Sequence, residues 1–197
     1  NVQNLSEIHI VSALHPSKPF SYYVDVVKQV KAALPDADCK AFTPVEVVNF
    51  SKMTGKSIRE VLEILKDAGL DSLPGGGAEI LSDRVRGLLC PKKATADEWL
   101  GVARTAHELG IQSNASMLYG HIETLEERVD HLMKLRALQD ETHGFLTFIC
   151  FPFLPKHTEL GKEVKQTSMW DDLRTMAISR LMLDNFKNIK AYWVMLT

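Results

Sequence analysis

Short, almost wholly apolar runs alternate along the chain with longer segments in which apolar residues recur every three or four positions. The short runs predict strands at Glu7–Leu14, Cys39–Thr43, Asp71–Pro74, Gln112–Gly120, Phe145–Phe153 and Ile189–Leu196. A run such as Phe145-Leu-Thr-Phe-Ile-Cys-Phe151 has little polar alternation, which suits a parallel sheet covered by helices. Between the runs, Ile58, Val61, Leu62 and Leu65 predict one buried helix face, and Leu125, Val129, Leu132 and Leu135 another. Ser57-x-x-Glu60, Thr95-x-x-Glu98 and Thr124-x-x-Glu127 read as capping boxes that start helices. Gly69, Gly110 and Gly144 stand where helices stop.

Repeated strand–helix units predict an α/β fold with right-handed crossovers. An open doubly wound sheet and a parallel (β/α) barrel both fit. Polar and glycine residues gather at the strand ends: Ser12, Thr43, Gly75 to Gly77, Tyr119-Gly120-His121 and Pro155-Lys156-His157. In a barrel these positions converge on one rim, where active sites are built; in an open sheet they would be strung along a line. Functional-looking residues on several separate strands favour the barrel, here with six consecutive strands in a single domain spanning residues 1–197.

Composition narrows the function classes. The 197 residues are 45% hydrophobic and 24% charged, with a formal net charge of −2. No basic stripe points to nucleic acid, and no apolar run has the length of a membrane span. The opening residues lack the pattern of a signal peptide. Cys39, Cys90 and Cys150 are far apart and odd in number, so neither a disulfide framework nor a Cys-x-x-Cys metal site is expected. A cytoplasmic location is the expectation, with the oligomeric state open.

The richest segment is Leu73-Pro-Gly-Gly-Gly-Ala-Glu-Ile-Leu-Ser-Asp-Arg-Val-Arg86. Glycine has no Cβ, so a ligand can press on the backbone of Gly75, Gly76 and Gly77. A helix is expected to begin at once, offering free N–H groups to an anion. On that helix Glu79 and Arg86, seven apart, would share a face, with Arg84 some way around. Either arginine is a candidate clamp for a carboxylate. Asn114, Ser116 and Leu118 alternate along one strand and so share a face, where small polar groups leave room for a ligand. Tyr119 and His121 end that strand; His121 is a candidate to hold a carboxylate or relay a proton, with His15 its counterpart on the first strand. His9, in mid-strand, reads as a packed core histidine, and Trp99, Trp170 and Trp193 as packing residues.

With these residues laid out, the chain resembles the aminofutalosine synthases, radical S-adenosylmethionine enzymes of the futalosine route to menaquinone. The resemblance rests on Glu7-Ile-His-Ile-Val-Ser-Ala-Leu-His-Pro16, Lys40-Ala-Phe-Thr43, Gly69-Leu-Asp-Ser-Leu-Pro-Gly-Gly-Gly-Ala-Glu-Ile80, Ala96-Asp-Glu-Trp-Leu100, Ser113-Asn-Ala-Ser-Met-Leu-Tyr-Gly-His121, Leu138-Gln-Asp-Glu-Thr142 and Ala191-Tyr-Trp-Val-Met-Leu196. The Pro-Gly-Gly-Gly-Ala-Glu signature is shared with the sister dehypoxanthine futalosine cyclase and the deazaflavin-cofactor synthases. These remain the alternatives, beside a non-catalytic barrel remnant.

The resemblance implies a 4Fe–4S cluster that reduces S-adenosylmethionine, and a 5′-deoxyadenosyl radical that adds to 3-(1-carboxyvinyloxy)benzoate. It implies that Ser12, Ala13 and Leu14 offer backbone groups to the methionine amino group, and that Glu79 contacts the cofactor. Gly75, Gly76, Gly77, Arg84, Arg86, Asn114 and Ser116 complete the expected cofactor site. Tyr119 and His121 are the expected catalytic residues, and His15, Thr43 and His121 the expected substrate contacts. The family's Cys-x-x-x-Cys-x-x-Cys loop is not in this sequence, so no metal ligand is expected here. The chain therefore reads as the central portion of a longer barrel, with its first and last strands as edges open to pairing.

Overall fold

The computed structural model describes residues 5–12 and 15–192. Six strands form one parallel sheet in sequence order: β1 (Glu7–Ile10), β2 (Asp38–Ala41), β3 (Ser72–Leu73), β4 (Gln112–Tyr119), β5 (Phe145–Pro152) and β6 (Asn188–Ala191). Every predicted strand is present, most of them trimmed at their C-terminal ends. Ala13 and Leu14, and residues 193–197 of the last predicted strand, lie outside the described residues. Sequential order with all neighbours parallel is the arrangement of a barrel, and it removes the doubly wound alternative, whose strand order reverses at a switch point. The sheet curls into a half-barrel, so that residues of β1 and β5 line the same cavity.

Helices cover the outer face: α1 (Phe20–Ala33), α2 (Pro44–Thr54), α3 (Ile58–Asp67), α4 (Asp83–Leu89), α5 (Ala96–Glu108), α6 (Leu125–Thr142) and α7 (Met169–Met182). The three expected capping boxes form, and Thr43/Glu46 and Ser168/Asp171 make two more. Between helices and sheet lies the core. Phe20, Tyr23, Phe42 and Phe50 pack at one end, and Trp99, Phe145, Phe148 and Phe186 at the other. Alternation along β4 sends Ala115, Met117 and Tyr119 into this layer and leaves Asn114, Ser116 and Leu118 on the inner face. Among the described residues no helix is long and apolar enough to cross a membrane.

Three expectations need correction. Gly144 is not the left-handed stop of α6; His143 takes that conformation, at φ 53°. Gly144 is required for another reason, since a Cβ there would lie 2.1 Å from the His107 ring. Leu125 and Val129 are exposed because α6 meets the sheet through Leu132, Leu135 and Leu138 instead. Trp170 is also exposed, on the outer side of α7, and is no packing residue.

One histidine holds a helix to the sheet, and another holds a helix to the loop before α4. His107 on α5 bonds Ser113 of β4 at 2.8 Å and Thr142 of α6 at 2.7 Å. His131 on α6 is fully buried, and its Nδ1 accepts the Leu81 N–H at 3.0 Å. Burial pushes the first down to about 4 and the second down to about 3. Both are neutral in the folded protein, whereas the unfolded chain takes up protons on them below their ordinary value of 6.5. Stability is therefore expected to fall as pH drops from 6.5 toward 4, by about 1.4 kcal/mol per group per pH unit. Urea midpoints measured across that range test this, and His131→Gln should flatten the slope. A profile that stays level would mean that both rings titrate as if exposed.

Candidate active site

At the C-terminal ends of the strands the curled sheet encloses a cavity of ≈ 200 Å³. It is lined by His9 and Ser12 from the β1 end, Thr43 and Glu46 after β2, Gly75 and Gly76 after β3, Asn114 and Ser116 of β4, and Ile149 and Phe151 of β5. The Glu46 carboxylate is buried, and three donors converge on it. Ser12 Oγ donates to one oxygen at 2.5 Å, while Thr43 N and Oγ1 donate to the other at 2.8 and 2.9 Å. One capping box thus ties the β1 end to the start of α2 and leaves a buried anion beside the cavity.

The glycine wall is fixed by its carbonyls. Ser116 Oγ donates to Gly75 O, Trp99 Nε1 to Gly76 O at 3.2 Å, and the Leu118 amide to Glu79 O at 2.8 Å. Arg86 donates to the carbonyls of Gly77, Ala78 and Ala94, which occupy its whole fork. Among the described residues, the N–H groups of Gly75 to Glu79 donate to no protein acceptor. Gly75 passes so close to β4 that a Cβ would lie 2.8 Å from the Ala115 backbone. Gly77 has φ 77°, and a Cβ on it would meet Val45 at 2.5 Å.

Glu79 and the two arginines depart from expectation. The helix does not begin at the glycines; α4 starts at Asp83 under a Ser82 cap, so Glu79 lies in the loop and shares no helix face with Arg86. Glu79 has φ 45°, uncommon for a residue with a side chain. It pairs with Lys93 at 2.6 Å on the wall of a second, wider cavity of ≈ 530 Å³, lined also by Leu89, Cys90, Lys92 and Leu118. Arg86 is buried under the loop, with every donor committed to a backbone carbonyl in place of the expected carboxylate. Arg84 grips Glu127 through two donors at 2.9 and 2.6 Å, and that grip holds the Glu127 carboxyl down to about 2.

Tyr119 and His121 are not in the cavity either. The Tyr119 side chain points into the helix layer and donates to Asp172 of α7 at 2.7 Å; burial raises its phenol further. His121 is enclosed between Leu118 O at 2.9 Å and Glu123 at 2.9 Å. Burial alone would raise the Glu123 carboxyl, but the His121 ring and the Gly120 and His121 amides outweigh it and hold it down to about 2. This network anchors the end of β4 to α6 and α7. His15 is exposed and occupied with Ser17, away from the cavity wall.

The structure thus brings together Ser12, Thr43, Gly75, Gly76, Asn114 and Ser116 of the expected site. Two polar cavity residues were missed. Glu46 was readable as the fourth residue of Thr43-Pro-Val-Glu46. His9 was taken for core, yet Glu7 and His9 alternate with Ile8 and Ile10, and the polar pair is the exposed one. Cys39 and Cys150 are buried in the helix layer and Cys90 lies after α4, so they do not converge. Among the described residues no group of three His, Cys, Asp or Glu side chains is placed to hold a metal, and the ligand set for an iron–sulfur cluster is not among them.

The description "Radical SAM superfamily" matches residues 7–135, and "CofH/MqnC C-terminal region" matches residues 142–197. The chain is 52% identical over 196 residues to an aminodeoxyfutalosine synthase of Thermus thermophilus, covering 98% of this chain and 53% of that protein. It is 41% identical over 204 residues to an aminodeoxyfutalosine synthase of Streptomyces coelicolor, covering 98% and 52%. To a 5-amino-6-(D-ribitylamino)uracil–L-tyrosine 4-hydroxyphenyl transferase of Archaeoglobus fulgidus it is 40% identical over 190 residues, covering 96% and 55%. The chain spans about half the length of the curated relatives it matches.

The glycine wall makes a paired prediction. Gly75→Ala drives a Cβ into the Ala115 backbone and is expected to cost about 1–3 kcal/mol in urea unfolding. Gly87→Ala, in α4 with nothing within 4 Å of its Cβ, is expected to stabilise by about 0.5–1 kcal/mol. Equal effects of the two would show that the loop yields freely.

Proposed function

Because the chain belongs to the Radical SAM superfamily, we propose that its cavity holds S-adenosylmethionine. We further propose that the whole enzyme transfers the 5′-deoxyadenosyl group to 3-(1-carboxyvinyloxy)benzoate, giving aminofutalosine for menaquinone biosynthesis in the cytoplasm. Residues 1–197 act in this reading as one portion of the barrel. The glycine wall is the observation that carries it: a backbone edge without side chains, its carbonyls committed and its N–H groups uncommitted. Such an edge suits a polar ligand that bears both carboxylate and hydroxyl acceptors. Ser12 and the buried Glu46 line the same cavity beside the glycine wall, where they suit the ammonium group of a methionine. Asn114 and Ser116 line the same cavity from β4, the strand beyond the glycine loop, within reach of a ribose.

The 52% identity to one synthase, against 40% to the hydroxyphenyl transferase, favours the futalosine substrate over the deazaflavin one. The test uses the full-length enzyme with its cluster, S-adenosylmethionine and a reductant. With 3-(1-carboxyvinyloxy)benzoate, mass spectrometry should find aminofutalosine. Product formed only from L-tyrosine and 5-amino-6-(D-ribitylamino)uracil would replace this reading with the transferase. Asn114→Ala should raise the KM for S-adenosylmethionine roughly tenfold, equivalent to about 1.4 kcal/mol; an unchanged KM would remove Asn114 from the cofactor site.

A further inference from the structure

The inner wall continues beyond the cavity along β5 and β6. Parallel pairing sets Phe148 beside Ile189 and Ile149 beside Lys190. Phe148 faces the helix layer, whereas Ile149 lines the cavity, so Lys190 shares the inner face with Ile149. Tyr192 lies two residues further on, and its ring meets the cavity residue Phe151 edge-on at 5.4 Å. Lys190 Nζ stands 5.9 Å from the centre of the Tyr192 ring. Among the described residues Lys190 pairs with no carboxylate, whereas Lys40, the other inner cation, is buried against Glu7. His9 lines the same cavity from β1. The two ends of the curled sheet thus place an imidazole and an uncommitted ammonium near one aromatic wall.

A cation beside an aromatic edge selects a particular ligand chemistry. A planar ring gains contact with Phe151 and Tyr192, and a carboxylate on that ring gains the ammonium. A ring without an anion gains only the first. The geometry points to a subsite for an aromatic carboxylate, its ring against Phe151 and Tyr192 and its carboxylate paired with Lys190. On the proposed function, that ligand is the benzoate end of the acceptor, and Lys190 determines specificity without taking part in bond making.

Two measurements on the full-length enzyme separate the subsite from the reaction. In calorimetric titration, 3-hydroxybenzoate should bind the native protein and bind Lys190→Met at least about tenfold more weakly. Phenol should bind both alike, and Lys190→Arg should restore the benzoate affinity. Equal binding of 3-hydroxybenzoate to the native protein and to Lys190→Met, or no binding to the native protein, overturns the subsite. In turnover, Lys190→Met should raise the KM for 3-(1-carboxyvinyloxy)benzoate and leave kcat near the native value. The same variant should handle 2-phenoxyacrylate, which keeps the enol ether and lacks the ring carboxylate, as the native enzyme does. A kcat loss equal for both acceptors overturns the specificity role. If the native enzyme consumes neither acceptor, the functional reading fails, and the hydroxybenzoate titration still decides the subsite.

Discussion

The close passage of Gly75 over the Ala115 backbone is the constraint on which the rest of the site depends. It brings the chain after β3 against β4 with no side chain between them. Ser116, one residue further along β4, then reaches the Gly75 carbonyl, and the Leu118 amide reaches Glu79. Two strands that pair through only Ser72 and Leu73 are thereby continued by a loop that behaves as an extension of the sheet. Any side chain at Gly75 would separate the two and open the cavity from below.

The sheet divides the chemistry of the chain into two sides. Outward residues of β4 and β5 enter an apolar layer in which Tyr119 is partnered by Asp172 and His107 by Ser113. Inward residues remain half-open and polar. The polar network around Glu123 belongs to the outer side even though its residues follow a strand end. Gly120, at φ 83°, turns the chain so that His121 folds back on Leu118. Position at a strand end is therefore not enough to make a rim residue; the direction of the turn decides it.

That distinction explains what the sequence disclosed and what it withheld. Strand number, parallel pairing and capped helix starts were legible because each rests on local pattern: apolar runs, and Ser or Thr followed by Glu. The cavity residues Ser12, Thr43, Asn114 and Ser116 were legible from strand ends and period-two alternation. The fate of Arg86 was not, because its acceptors are backbone carbonyls, which leave no mark on residue identity. Nor was the partnership of Arg84 with Glu127, 43 residues away. Trp99 was correctly read as buried, but its single N–H selects the Gly76 carbonyl through tertiary placement alone.

Arg86 has a further consequence. A trans peptide is planar, and its C=O and N–H point in opposite directions. Carbonyls drawn toward the guanidinium at Gly77 and Ala78 therefore commit the amides of Ala78 and Glu79 to the far side of the loop. A buried full charge, solvated only by aligned peptide dipoles, thus sets the polarity of a surface it never reaches. The loop behaves as a small polarised dielectric: its negative poles are gathered inward on one cation, and its positive poles are displayed outward.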